Sequence, residues 1–220
     1  MSTAAQTIAR VKVNLEDPTG KFFKTDDYVR AYNEALDEIS EATEINEASV
    51  YVKRRKWATY TDLRGALPPV ALRITAIWNP SAQKWLDPTT VRELDDKVGR
   101  DWECRTDQTR WWFMRGLWFL GAYPAAGDDT SPLRVHFSAL LPHIRENGGL
   151  SAGLASSPNL PPDFHEAIEN YMMYKMLAER KEVDKSLEYY QRFFSQVPAL
   201  KDVGSNRMRR DRMPRMGARR

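Results

Sequence analysis

The residues that come nearest to a catalytic motif are His165 and Glu166, which open like the His-Glu-x-x-His helix of zinc proteases until position 169 supplies Glu where the second histidine is needed. Two ligands fall short of the three or four that a protein gives zinc. His136 sits inside an alternating apolar run and His143 follows Pro142, and neither has a neighbouring serine, cysteine or paired carboxylate to make a nucleophile and its base. The pairs Asp26-Asp27, Asp95-Asp96 and Asp128-Asp129 could be imagined as magnesium ligands of a nuclease. They fall at a helix start, on a helix surface and in a turn, where carboxylates are explained without metal. No Gly-x-x-x-x-Gly-Lys loop and no Gly-x-Gly-x-x-Gly fingerprint occurs. The expectation is therefore no catalytic residue, no metal, no cofactor, and a protein that is not an enzyme.

A different chemistry gathers at the C-terminus. Residues 205–220 carry seven Arg and one Asp, a charge of +6 in a chain whose net charge is +3, so residues 1–204 stand at −3. Within this stretch Arg207, Arg209, Arg210, Arg212, Arg215, Arg219 and Arg220 alternate with Met208, Met213 and Met216. Guanidinium forks recognise carboxylates and phosphates, whereas methionine fills irregular apolar crevices. The mixture suits a groove on another protein better than bare phosphate. An exposed ion pair contributes only about 0.2–1 kcal/mol, and ordering a residue's backbone costs about 1–2 kcal/mol. One such arm would hold a partner weakly, and repetition in an oligomer would raise its effective concentration. The alternative is a nucleic-acid-binding module acting through the same arginines. The Trp residues, Trp111, Trp112 and Trp118 above all, suit a core or a subunit interface better than base stacking, because they lie in contiguous apolar runs.

The elements that must position this arm follow from periodicity. Ile8, Val11 and Leu15 predict a helix over 3–16, stopped by Pro18-Thr19-Gly20. Thr25 offers an N-cap to a long helix whose stripe is Tyr28, Tyr32, Ala35, Leu36, Ile39 and Ala42. From Ser49 to Tyr60 the β-branched and aromatic content predicts a strand, and Leu72–Trp78 with Lys84–Leu86 a hairpin turned by Asn79-Pro80-Ser81. Thr90 and Glu93 form a capping box for a short helix. Arg110–Met114 and Leu117–Gly121 make two strands around the Arg115-Gly116 turn, and after the Pro124–Asp129 turn Leu133–Leu141 adds another. A mobile loop over 142–162 leads to a helix through Phe164, Ile168, Tyr171, Met172 and Met176. A last helix over 183–196 carries Leu187, Tyr190, Phe194 and Val197 on one side and breaks at Pro198.

The fold class read from this is α+β: a mainly helical body of long N-terminal helices and C-terminal helices, with an inserted antiparallel, meander-like β region. One domain would span 1–204 (1–48 helical, 49–141 β-rich, 142–162 loop, 163–204 helical). Residues 205–220 would be a basic arm, disordered or ordered by a partner. The single Cys104 excludes an intramolecular disulfide and is expected as a small buried or half-buried side chain. The longest apolar runs are split by Arg115 and fall short of a membrane span, so no membrane role is expected.

Four segments in order carry a resemblance. They are Thr25-Asp26-Asp27-Tyr28-Val29 with Asn33-Glu34-Ala35; Leu67-Pro68 with Arg73-Ile74; Leu117-Trp118-Phe119-Leu120-Gly121-Ala122-Tyr123-Pro124; and Leu160-Pro161-Pro162-Asp163-Phe164-His165-Glu166-Ala167-Ile168. Over about residues 5–195 the chain resembles the head-to-tail adaptor (connector, head-completion) proteins of tailed bacteriophages. The resemblance implies a virion protein made in the host cytoplasm. It further implies a homo-oligomeric ring of twelve subunits docked on the portal protein, meeting tail or nozzle proteins on its far face and continuing the channel for packaged double-stranded DNA. The basic arm would then be the portal-binding segment.

Overall fold

A computed structural model describes residues 3–127, 131–144 and 160–212. The chain divides into two compact units, one made of residues 1–46 and 140–220 and one of residues 47–139.

In the first unit, α1 (Ala4–Asn14) starts at a capping box: the Thr3 hydroxyl accepts from the Gln6 N–H at 3.2 Å and the Gln6 side chain accepts from the Thr3 N–H at 3.0 Å. It buries Ile8 and Val11. The turn after it is organised by Asp17. This buried carboxylate accepts from the backbone N–H groups of Lys21 (2.6 Å), Phe22 (3.2 Å) and Phe23 (3.1 Å) and from the Tyr28 hydroxyl (3.1 Å). α2 (Thr25–Thr43) is capped by Lys24, one residue before the predicted cap, with the Asp27 carboxylate accepting the Lys24 N–H at 2.9 Å. Its Tyr28, Tyr32, Ala35, Leu36 and Ile39 are fully buried, while Ala42 is half-buried. Fully burying an aliphatic or aromatic side chain contributes about 1.5–3 kcal/mol. The polar residues of α2 also work: Asn33 exchanges two hydrogen bonds with the backbone of Ile144 (3.0 and 2.9 Å), and Ser40 Oγ accepts from Leu141 N–H at 3.0 Å. Together they fasten the returning chain onto the helix. α4 (Pro162–Glu179) and α5 (Val183–Arg212) complete the unit.

The second unit is a sheet of seven strands among the described residues, in the order β1-β7-β3-β4-β5-β6-β2. They are β1 (Glu47–Val52), β2 (Tyr60–Asp62), β3 (Ala71–Asn79), β4 (Lys84–Pro88), β5 (Trp111–Arg115), β6 (Phe119–Tyr123) and β7 (Leu133–Ala139). Between β4 and β5 lie α3 (Val91–Val98), whose Thr90–Glu93 capping box is present, and a 3-10 turn over Arg100–Cys104. One apolar cluster joins Ile77, Leu86, Trp112, Leu120 and Val135, and a smaller one joins Leu94, Trp102, Phe113 and Tyr123.

These findings correct the expected fold. The body is not mainly helical: it is α+β with a seven-stranded sheet forming a unit of its own, and the N-terminal helices of 11 and 19 residues have ordinary globular lengths. Strands that pair across long separations, as Glu47 with Ser138, leave no trace in a local window. The β region is not an antiparallel meander either, since β4 and β5 run parallel through Asp87↔Trp111 and Pro88↔Trp112. The run read as one strand from Ser49 to Tyr60 is two, on opposite edges of the sheet. The break is at Arg54, buried and bonded through Nε to the Ser131 carbonyl at 2.9 Å and through Nη1 to the Thr109 hydroxyl at 3.0 Å, with Trp57 turning at φ 63°. Finally, α5 does not stop at Pro198 but continues to Arg212. The proline loses the bond to the Phe194 carbonyl, and buried Leu200 with half-buried Val197 holds the turn around it.

Candidate functional site

The residues expected to do the work lie on and beyond α5. The left-handed turn at Lys181 (φ 63°) reverses the chain after α4. α5 then packs antiparallel-hairpin fashion against α4 through Ser186, Phe193 and Leu200, all buried, with Tyr189 and Val197 beside them. The Ser186 hydroxyl donates to the Tyr174 carbonyl at 3.1 Å and Asn170 Nδ2 donates to Gln196 Oε1 at 3.1 Å. Rings interlock along the seam, Tyr171 with Phe193 at 5.1 Å and Tyr174 with Tyr190 at 4.9 Å.

The apolar side predicted for this helix is divided. Val197 packs against the core, but Leu187, Tyr190 and Phe194 stand in the open with Val183, at 53%, 38%, 66% and 69% exposure respectively. Their spacing of four, three and four residues puts them in one line along the border of the buried seam, which Tyr190 meets through Tyr174. Phe193 and Leu200, which do face the core, were not singled out by the sequence pattern. Aromatic residues on adjacent positions, Phe193-Phe194 and Tyr189-Tyr190, blur the period enough to hide which one turns inward.

Of the arm residues, Arg207, Met208, Arg209, Arg210 and Arg212 fall in the last turns of α5. The helix thus runs to Arg212, eight residues into the stretch expected from Ser205 on to be an arm, disordered or ordered by a partner. Arginine and methionine are good helix formers, and cations at a helix C-terminus meet the negative end of its dipole. Met213, Arg215, Met216, Arg219 and Arg220 lie outside the described residues, as do Asp128, Asp129 and most of the 142–162 loop.

The residues tested for catalysis are not brought together. His165 is buried on α4, its Nδ1 without a hydrogen-bond partner, and burial followed by the Arg10 guanidinium pushes its pKa down. Glu169, one turn on, is ion-paired with Arg10; burial raises its pKa and Arg10 opposes the rise. Glu166 is exposed. His143 Nε2 lies 2.8 Å from Asp37 at the surface, and His136 lies 3.8 Å from Glu47 with Trp85 against its ring. Asp95 accepts from the Trp102 indole at 2.7 Å. Cys104, the last residue of the 3-10 turn, is exposed and not buried or half-buried as expected. Among the described residues no group of three or more His, Cys, Asp or Glu is placed to hold a metal ion, and no helix is long and apolar enough to cross a membrane.

The tryptophans do not form one platform. Trp102 and Trp112 are core residues, Trp111 stacks on Tyr123 at 5.8 Å, and Trp118 is 45% exposed at the β5–β6 turn.

A family model described as SU10 adaptor protein matches residues 2–219. No curated protein matches the chain.

Proposed function

The chain belongs to the SU10 adaptor protein family, and on that premise we propose that it is a structural component of a tailed-phage particle, joining the portal to the tail. The match over residues 2–219 is the observation that carries this reading. It agrees with the order of segments from Thr25 to Ile168 that resembles head-to-tail adaptors, and with a role that asks for surfaces and not for a reaction.

In this proposal the protein works as a ring, of twelve subunits by the family resemblance, around the passage for packaged double-stranded DNA. The arm Arg207–Arg220 grips the portal, and tail or nozzle proteins meet the opposite side. What supports the arm's role is its carrier. A 30-residue helix, anchored by Phe193 and Leu200, brings Arg207, Met208, Arg209, Arg210 and Arg212 to its far end. A helix that is already formed reduces the ordering cost of docking compared with a disordered tail. The exposed line Val183, Leu187, Tyr190 and Phe194 gives the same helix apolar surface for a neighbour.

The test is co-sedimentation of the purified chain with portal rings, wild type against a chain ending at Gly204. The proposal expects wild type to travel with the portal and the truncation to remain behind. A truncation that binds as well as wild type would contradict the arm's role. The second reading, phosphate binding by the same arginines, predicts DNA affinity that falls steeply with salt and disappears in the truncation.

A further inference from the structure

The two edges of the sheet differ in how they meet solvent. At one end of the strand order lies β2, only three residues long, and a short edge strand is a defence against unwanted pairing. At the other end lies β1. Its six residues pair with β7 one for one, from Glu47↔Ser138 to Val52↔Leu133, without a bulge. It holds no proline, which would remove a backbone donor. Among the described residues no strand pairs with its outer side, which leaves a regular row of backbone donors and acceptors there.

The side chains of β1 determine what fits that edge. Glu47, Ser49 and Tyr51 alternate onto one face, with Lys53 following just past the strand. Val50 and Val52 take the other face, where Val52 is buried in the Trp112 cluster and half-buried Val50 packs against it. Along the chain, acidic Glu44 and Glu47 precede the strand and basic Lys53, Arg55 and Lys56 follow it. A strand with opposite charges at its two ends matches itself when turned end for end. Set antiparallel about Val50, two copies bring Glu47 opposite Lys53 at both ends, Ser49 opposite Tyr51, Ala48 opposite Val52, and Val50 opposite Val50. Every opposed pair then shares a face, so both apolar clusters stay on one side of the joined sheet and the two Val50 side chains cover each other. A slip of one residue would set the apolar face of one copy against the polar face of the other. A parallel pairing in register would set Lys53 beside Lys53. Lys53 is exposed and has no partner among the described residues, and the Thr75 hydroxyl donates to Glu47 Oε1 at 2.9 Å, which fixes that carboxylate on the outer face.

We propose that the free chain pairs with a second copy of itself through β1, the two strands running antiparallel about a twofold axis at Val50 to make one continuous sheet. Main-chain hydrogen bonds between the strands give affinity, and the two Glu47–Lys53 pairs set register and partner. The contact is isologous and closes on itself. Once two copies have joined, each outer edge of the sheet is the short β2, so this surface builds a pair and no more. The inference concerns the chain before any ring is assembled and lies in the sheet unit. It stands apart from the portal-binding role of the arm in the other unit, so that either can fail alone.

The test is sedimentation of the full-length protein over a wide range of concentration. Wild type should move from one chain mass to two as concentration rises, and hydrogen exchange at the outward amides of residues 48–52 should slow in step. Lys53→Glu, at an exposed position with no partner to lose, sets a carboxylate opposite Glu47 and should weaken association about tenfold or more. Glu47→Lys should do the same from the other side, and the double substitution Glu47→Lys with Lys53→Glu should restore association. The two residues stand six positions apart, roughly 20 Å along an extended chain, so restoration arises only between copies. Glu47→Lys also removes the Thr75 bond; if it fails to fold, the comparison of wild type with Lys53→Glu decides alone. A wild type that keeps one chain mass at every concentration overturns the proposal. So does association that Lys53→Glu leaves unchanged, a folded double variant that stays single, or an assembly that forms without slowing exchange at 48–52.

Discussion

At the scale of single residues, the groups that matter are those whose surroundings leave no slack. Gly121 on β6 lies under the Phe113 ring, and a Cβ there would stand 2.2–2.6 Å from three ring carbons. Gly121→Ala is expected to destabilise the sheet unit by about 1–3 kcal/mol through overpacking, read as a lower denaturation midpoint with unchanged slope. His165 sets a pH dependence. Its neighbours are Arg10 of α1 and Glu166 and Glu169 of α4, and its pKa is held below the 6.5 of a free imidazole by burial and then by Arg10. The unfolded chain therefore takes up a proton that the folded chain refuses, so stability is present above pH 6.5 and is lost as pH falls below it. Glu169, raised above 4.5, contributes with the opposite sign at lower pH. His165→Gln should flatten the fall in thermal midpoint just below pH 6.5; an unchanged fall would refute the assignment. Asp17 stands just before the Pro18-Thr19-Gly20 stop. Burial pushes its carboxyl up, yet three backbone N–H donors and the Tyr28 hydroxyl hold it below the usual carboxylate range. Nothing in Glu16-Asp17-Pro18 distinguishes such a residue, because its donors come from the turn that follows.

At the scale of elements, what the sequence made legible was whatever one element decides alone. The Thr90–Glu93 box, the Gly116 turn at φ 62° and the α2 stripe from Tyr28 to Ile39 all stand as their spacing predicted. What it hid was set by partners far along the chain. The separation of β1 from β2 depends on Arg54 reaching Ser131 and Thr109, and the parallel β4–β5 pair depends on α3 lying between them. Pro198 misled for a related reason: a proline breaks an isolated helix, but here Leu200 keeps the following turn docked. The proline still costs about 3 kcal/mol in a helix interior, so Pro198→Ala should raise stability by some part of that, measured by urea denaturation. Leu187→Ser and Phe194→Ser, on the exposed line of α5, should change monomer stability by no more than about 0.5 kcal/mol, a small effect that separates a surface kept for a neighbour from a core.

At the scale of the whole molecule, the chain is a helical unit interrupted by a sheet unit whose two ends meet. Asn46 Nδ2 donates to the Leu140 carbonyl at 2.8 Å, and the first strand, entering at Glu47, pairs with the last, leaving at Ala139. Two units, one carrying the arginines of α5 and one built on the sheet, suit a protein that must present different surfaces to different neighbours. The alternation of Arg with Met from Arg207 is legible in the sequence, whereas the helix that reaches Arg212 is not, because Pro198 hides its continuation. The central claim is that the protein is an adaptor held to its portal by the end of α5. Negative-stain imaging of the chain mixed with portal rings, wild type beside a truncation after Gly204, tests it most directly. The account predicts an added ring layer on the portal with wild type and bare portals with the truncation; portals left bare by both proteins would contradict it.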